Sequence, residues 1–228
     1  MKNIIVILAI LIGLVSPAMV GGRAAEPKAS LVPATKKILQ AVPFTAQAPF
    51  GKWSDQRQQD GCEEASSLMA VKWARGQSLT KAEALKEITG LSDWLLKKYG
   101  EYRDISVADT VDWIIKDYFN YQNAALIKNA TTADITNELK KGNIIIAPMN
   151  GQLLGNPYYT PPGPRHHMVV IIGYDFIKKV FITNDGGTKR GRLYEYKTDI
   201  LFKAISGYPT GNHKTAVKIE KNVIVIWK

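Results

Sequence analysis

Cysteine is almost absent from this chain: among its 228 residues there is one, Cys62. A single thiol cannot close an internal disulfide, so the usual reason for cysteine in an exported protein does not apply here. Histidine is nearly as scarce, with His166, His167 and His213 alone, and these show no metal-ligand spacing with each other or with the cysteine. Neither a cofactor nor a metal is called for by the sequence. After the first residues no further apolar run approaches the roughly 20 residues of a membrane-spanning helix. The formal net charge is +10, yet Lys and Arg are scattered in short clusters such as "TKRGR" rather than one long basic run. With no zinc-finger spacing, no RNA-binding aromatic signature and no heptads, nucleic-acid partners are not expected. An anionic cell-wall or membrane surface fits the charge better.

The hydrophobic fraction of 46% argues for a folded core. The opening "MKNIIVILAILIGLVSPAMVGGRAA" has a basic end at Lys2, an apolar run from Ile4 to Val15 and small residues after it, the order of a secretory signal. Residues 1–25 therefore read as a signal peptide or uncleaved anchor, 26–40 as a polar lead-in, and 41–228 as one domain. An exported protein is expected.

Within that domain the texture changes once. Helices are predicted from Cys62, Thr80, Ser92, Ser106 and Thr132, each with an apolar face behind a capping side chain or a helix-start signal. From Asn143 onward come short β-branched runs, "NIIIAPM", "HMVVIIGYD", "KVFITND" and "NVIVIW". Helices followed by strands predict an α+β domain with the helices packed on a largely antiparallel sheet.

The segment "DGCEEASSLMAVKWARG" places Cys62 in a first helical turn, where unpaired N–H groups and the helix dipole favour a thiolate. Glu63 and Glu64 oppose that. A nucleophilic thiol needs a base, and successive residues of a strand face opposite ways, so only one of His166 and His167 can serve. If "HHMVVIIGYD" and "KVFITND" form a hairpin about Phe176 to Lys179, a histidine lies beside Asn184 or Asp185, either of which could orient it. Trp53, Tyr158 and Tyr159, in loops rich in Pro and Gly, are candidates for contact with substrate.

Taken together, "VPFTAQAPFG", "DGCEEASSLMAV", "HMVVIIGYD" and "VFITNDGG" resemble the bacterial cysteine peptidases related to the double-glycine leader peptidases that process bacteriocin precursors. The resemblance spans most of residues 42–187. It implies a papain-like fold, with Cys62 as nucleophile, His167 as general base, Asp185 as its orienter and Gln47 as oxyanion donor. Leader peptidases carry their glutamine closer to the cysteine, at the position of Gln56 here, which makes Gln56 the alternative donor. The implied activity is hydrolysis of peptide or amide bonds in a peptide or protein substrate. A cell-wall amidase or transpeptidase on the same scaffold, or a non-catalytic surface protein binding anionic wall polymers, is the alternative.

Overall fold

Helices start where a side chain can take up the free N–H groups of the first turn, and the chain supplies such side chains repeatedly. The computed structural model describes residues 36–228, so the expected signal or anchor over residues 1–25 lies outside it. Asp55 caps a single turn, α1 (Gln56–Gln59), by accepting from the Arg57 N–H. α2 (Cys62–Ala74) follows at once. Thr80 and Glu83 form a reciprocal capping box at the start of α3 (Lys81–Tyr99), which Gly100 ends at φ +79°. Ser106 opens α4 (Val107–Asp109), which continues as a wider π-helical stretch, Thr110–Tyr118. α5 (Thr132–Lys140) is capped by Thr131, one residue ahead of the threonine expected, with Asp134 completing the box.

One helix boundary read from the sequence is wrong. Ser92 does not start a helix; it is buried inside α3, where its hydroxyl reaches Glu64 Oε1 at 2.9 Å and the Ile88 carbonyl at 3.0 Å. A serine inside a helix that back-bonds to the preceding turn and meets a buried acid looks, in sequence, like a cap.

The strands are β1 (Lys37–Leu39), β2 (Ala124–Ile127), β3 (Ile144–Met149), β4 (His167–Asp175), β5 (Val180–Asn184), β6 (Tyr194–Lys197) and β7 (Val223–Ile226). They form one sheet in the order β2-β7-β3-β4-β5-β6, with β1 also paired to β4, and every pairing is antiparallel. Lys37–Leu39, assigned above to the lead-in, thus belongs to the domain. It stands opposite Gly173–Asp175 of β4. The β4–β5 hairpin turns over Phe176–Lys179 as the sequence predicts, with Asp175 opposite Val180.

β3, β4, β5 and β7 are buried along their length because helices cover both faces. Period-two alternation sends Ile144, Ile146, Met168 and Val170 to the cluster under α2 and α3, and Ile145, Ala147, Val169 and Ile171 to the one containing Ile135, Leu139 and Leu201. Ile172 continues the alternation into the first cluster, but a bulge between Ile171 and Gly173 shifts the phase, so Tyr174 joins the second. The sheet is therefore sandwiched, with α5 and α7 (Thr198–Ala204) on the face away from α2.

α2 is the central element: Glu63, Glu64, Ser66 and Ser67 are buried in it along with Leu68 and Met69. Each of those two apolar side chains contributes about 1.5–3 kcal/mol on burial. Ser66 ties the helix to β4 by donating to the Met168 carbonyl at 3.2 Å. Among the described residues no helix is long and apolar enough to cross a membrane.

Candidate active site

Cys62 is set by the tight junction of α1 and α2. A Cβ on Gly61 would sit 2.6 Å from the Arg57 carbonyl oxygen and 2.9 Å from Ile88 Cγ2, so only glycine lets the second helix start this close to the first. Arg57 in turn pairs with Asp55 at 3.0 Å and with Asp93 of α3 at 2.8 Å, which locks α1 against the longer helix. The thiol that results is almost wholly buried and donates to Glu63 Oε2 at 3.0 Å.

This environment reverses the expectation drawn from helix position. Burial first, and then the carboxyl groups of Glu63, Asp104 and Glu64, push the Cys62 pKa well above the ordinary thiol value. Helix N-terminal N–H groups do not offset so much desolvation. The resting residue is a neutral thiol. Glu63 is itself held up to about 7 by burial, although Tyr208, donating to its Oε1 at 2.6 Å, and the thiol both pull it down. Glu64 is raised well beyond its ordinary range by burial and by the neighbouring Glu63 charge, with Ser92 bonded to one of its oxygens.

His167 opens β4 opposite Met149 and is buried. Its Nε2 lies 2.8 Å from Asp185 Oδ1, just past the end of β5. The Gly187 N–H also reaches Oδ1, at 3.0 Å. The other carboxylate oxygen accepts from Tyr159 at 2.5 Å, Tyr196 at 2.6 Å and the Asn156 amide at 3.2 Å. Burial alone would raise the Asp185 pKa, but the His167 charge and these donors outweigh it and hold the carboxyl down at about 2. Asn184 faces elsewhere, donating to the carbonyls of Val42 and Pro43, so Asp185 is the residue that meets the histidine. Gly187 packs edge-on against the ring: a Cβ there would lie 2.9 Å from His167 Cε1.

Cys62 and His167 line one cleft of about 930 Å³, together with Gln47, Gln56, Trp53, Tyr158 and Tyr159. Cys62 and His167 share no hydrogen bond in this state; the thiol is turned to Glu63. Gln47 uses its amide N–H groups on the carbonyls of Gln58 at 3.1 Å and Gln59 at 2.6 Å, and Gln56 donates to Asp60 at 2.7 Å. Both glutamine amides are thus engaged within the protein. Trp53 and Tyr158 are exposed on the cleft wall, and Tyr158 packs under the Arg190 guanidinium. Tyr159 is different. It is buried with its hydroxyl committed to Asp185, so its place is behind the His167–Asp185 pair.

Four residues that build the site escaped the sequence reading: Asn156, Tyr196, Tyr208 and, as a partner of the thiol, Glu63. Asn156 and Tyr196 carry no local signal, since they meet Asp185 from a long loop and from an edge strand. That Glu63 opposes an ionised thiol was readable from its place directly after Cys62; that it accepts a hydrogen bond from the thiol was not. His166 and His213, given no role in the sequence, converge on Asp104 at the same cleft, with Nδ1 to Oδ2 distances of 3.3 and 3.2 Å. Sequence spacing gives no sign of this cluster, because its three members come from separate segments of the chain.

A cysteine at a helix start, with a histidine and an acid carried by the antiparallel sheet behind it, is the layout of the cysteine-peptidase class of fold. The sequence pattern of the Peptidase_C39-like family matches residues 39–209, and the chain belongs to that family. No curated protein sequence matches it. Among solved structures, a C39-like peptidase from Bacillus anthracis superposes with a TM-score of 0.55 at 16% identity, over 85% of this chain and 98% of that one. At that identity the likeness is one of fold.

Proposed function

We propose that the chain is a cysteine peptidase that hydrolyses peptide or amide bonds through Cys62, His167 and Asp185. The observation that carries the reading is the buried His167–Asp185 pair, 2.8 Å apart, opening on the cleft that also holds the helix-start thiol. Asp185 fixes the ring by accepting a hydrogen bond from Nε2–H, which leaves Nδ1 as the base.

Substrate entry turns the thiol from Glu63 to His167. The imidazole takes the Sγ proton as sulfur bonds to the substrate carbonyl carbon, and the carbonyl oxygen becomes an oxyanion. The backbone N–H of Cys62, free of an intrahelical partner in the first turn, is one donor to it. A glutamine amide, Gln47 or alternatively Gln56, is the second once it releases a bond it now makes. The C–N bond then breaks, and the imidazolium gives its proton to the departing amine. Water, deprotonated by His167, attacks the thioester carbon and releases a carboxylic acid and the thiol. We further propose export, supported by the basic, apolar and small-residue order of the leader.

The test is labelling of the purified protein with a thiol-directed peptide probe, followed by a peptide-library cleavage screen. Wild type labels and cleaves, Cys62→Ser does neither, and His167→Ala labels slowly. Equal cleavage by Cys62→Ser would remove the mechanism.

A further inference from the structure

Just ahead of β4, on the wall of the same cleft, the side chains of Asp104, His166 and His213 gather so that one donor atom from each lies within 4.8 Å of the others. The histidines approach the same carboxylate oxygen, His166 Nδ1 at 3.3 Å and His213 Nδ1 at 3.2 Å. For ligands bonded at about 2.0–2.1 Å to a tetrahedral zinc ion, neighbouring donors stand about 3.3 Å apart. Two of the three edges of such a site are already at that length.

The second observation concerns His166. Its side chain is 92% buried on the complement of its 8% exposure, and its Nδ1 has no hydrogen-bond partner, because the 3.3 Å approach to Asp104 is off the line of a hydrogen bond. An imidazole nitrogen withdrawn from water and left unbonded is unfavourable, a loss that a metal bond would reverse. The ring is clamped face to face on Tyr208, with centroids 4.6 Å apart, so it cannot swing away to find water.

The backbone holds the other two donors. Asp104 and His213 both sit at left-handed φ, +50° and +52°. The His213 N–H donates to Asp104 Oδ2 at 2.5 Å, and the Gly211 N–H reaches the carbonyls of Arg103 and Asp104. Two loops distant in sequence are thereby stitched together with their donors facing. Asp60 lines the same cleft and adds negative charge that favours a cation.

We infer that Asp104, His166 and His213 form a binding site for a divalent transition ion of the zinc class, at the wall of the cleft that holds Cys62. Two imidazoles and one carboxylate select borderline ions such as Zn²⁺, Co²⁺ and Ni²⁺ over Mg²⁺ or Ca²⁺. Three protein ligands leave a fourth position open to the cleft. The ion also neutralises Asp104, one of the charges that burden the Cys62 thiol.

The experiment is calorimetric titration of the metal-free full chain with Zn²⁺, and the absorption spectrum with Co²⁺. One ion per chain is expected, with affinity at least about tenfold weaker in His213→Ala, an exposed position where the fold is not at stake, and in Asp104→Asn. Cys62→Ala is expected to bind as wild type, and the Co²⁺ spectrum to show ligand-field bands without the intense thiolate charge-transfer band. Wild type that binds no Zn²⁺, His213→Ala that binds unchanged, or loss of binding in Cys62→Ala with a thiolate band would each overturn the assignment. The last would put the ion on the Cys62–His167 pair instead.

Discussion

Glu63 is the side chain that decides how Cys62 behaves at rest. It accepts from the thiol at 3.0 Å and from Tyr208 at 2.6 Å, and its own proton leaves near pH 7. Glu63→Gln keeps the shape and removes the charge. The expected result is a lower apparent pKa for Cys62 and faster alkylation near pH 7.5, read from iodoacetamide rates across pH; an unchanged profile would mean that the carboxylate does not govern the thiol. On the other side of the cleft, Tyr159→Phe takes one of the short bonds from the buried Asp185 carboxylate. Loss of a bond to a charged group costs about 1.5–3 kcal/mol, seen in thermal unfolding, and the remaining partners keep His167 oriented. Asp185→Asn removes that orientation, and kcat should fall on the order of 10³–10⁴-fold with Cys62 still present.

At the level of elements, the decisive junctions are close approaches. Gly61→Ala brings a methyl group to 2.6 Å from the Arg57 carbonyl oxygen, so α1 and α2 must part. A destabilisation of about 1–3 kcal/mol is expected from denaturant unfolding, together with slowed probe labelling, since the same shift displaces Cys62. The sequence made several of these elements legible. Thr80 announced the start of α3, and the β4–β5 hairpin was readable because strand alternation and the turn at Phe176–Lys179 are local properties. That hairpin placed one of the two histidines beside Asn184 or Asp185, and the family resemblance chose His167 and Asp185 from among them. What stayed illegible was set by distant partners. β1 is only three residues and exists because β4 offers it an edge, and Ser92 looked like a cap because its buried partner Glu64 lies on another helix. The left-handed turns at Asp104 and His213 likewise meet only through the fold.

For the molecule as a whole, two buried acids pull stability in opposite directions with pH. Asp185, held down at about 2, contributes stability that is present above the ordinary aspartate value and is lost as pH falls through 2. Glu63, raised to about 7, does the reverse: the folded state holds its proton more tightly, so its contribution is complete below about 4.5 and gone above 7. That difference corresponds to on the order of 3 kcal/mol. Thermal melts should therefore be highest in mildly acidic buffer and decline toward neutrality, with the decline flattened in Glu63→Gln. Melts that rise steadily from pH 5 to 8 would contradict it.

His166 and His167 are joined by one peptide bond, yet they meet different partners: His166 sits in the bend just ahead of β4 beside Asp104, and His167 opens the strand and meets Asp185. The strand thus behaves as a two-track carrier, with odd and even positions addressed to separate destinations. A one-residue deletion between His167 and the bulge would shift the addresses, drawing His166 into the place opposite Met149 and sending the wrong ring to Asp185. The start of β4 is consequently a segment in which length, more than side-chain identity, is under constraint.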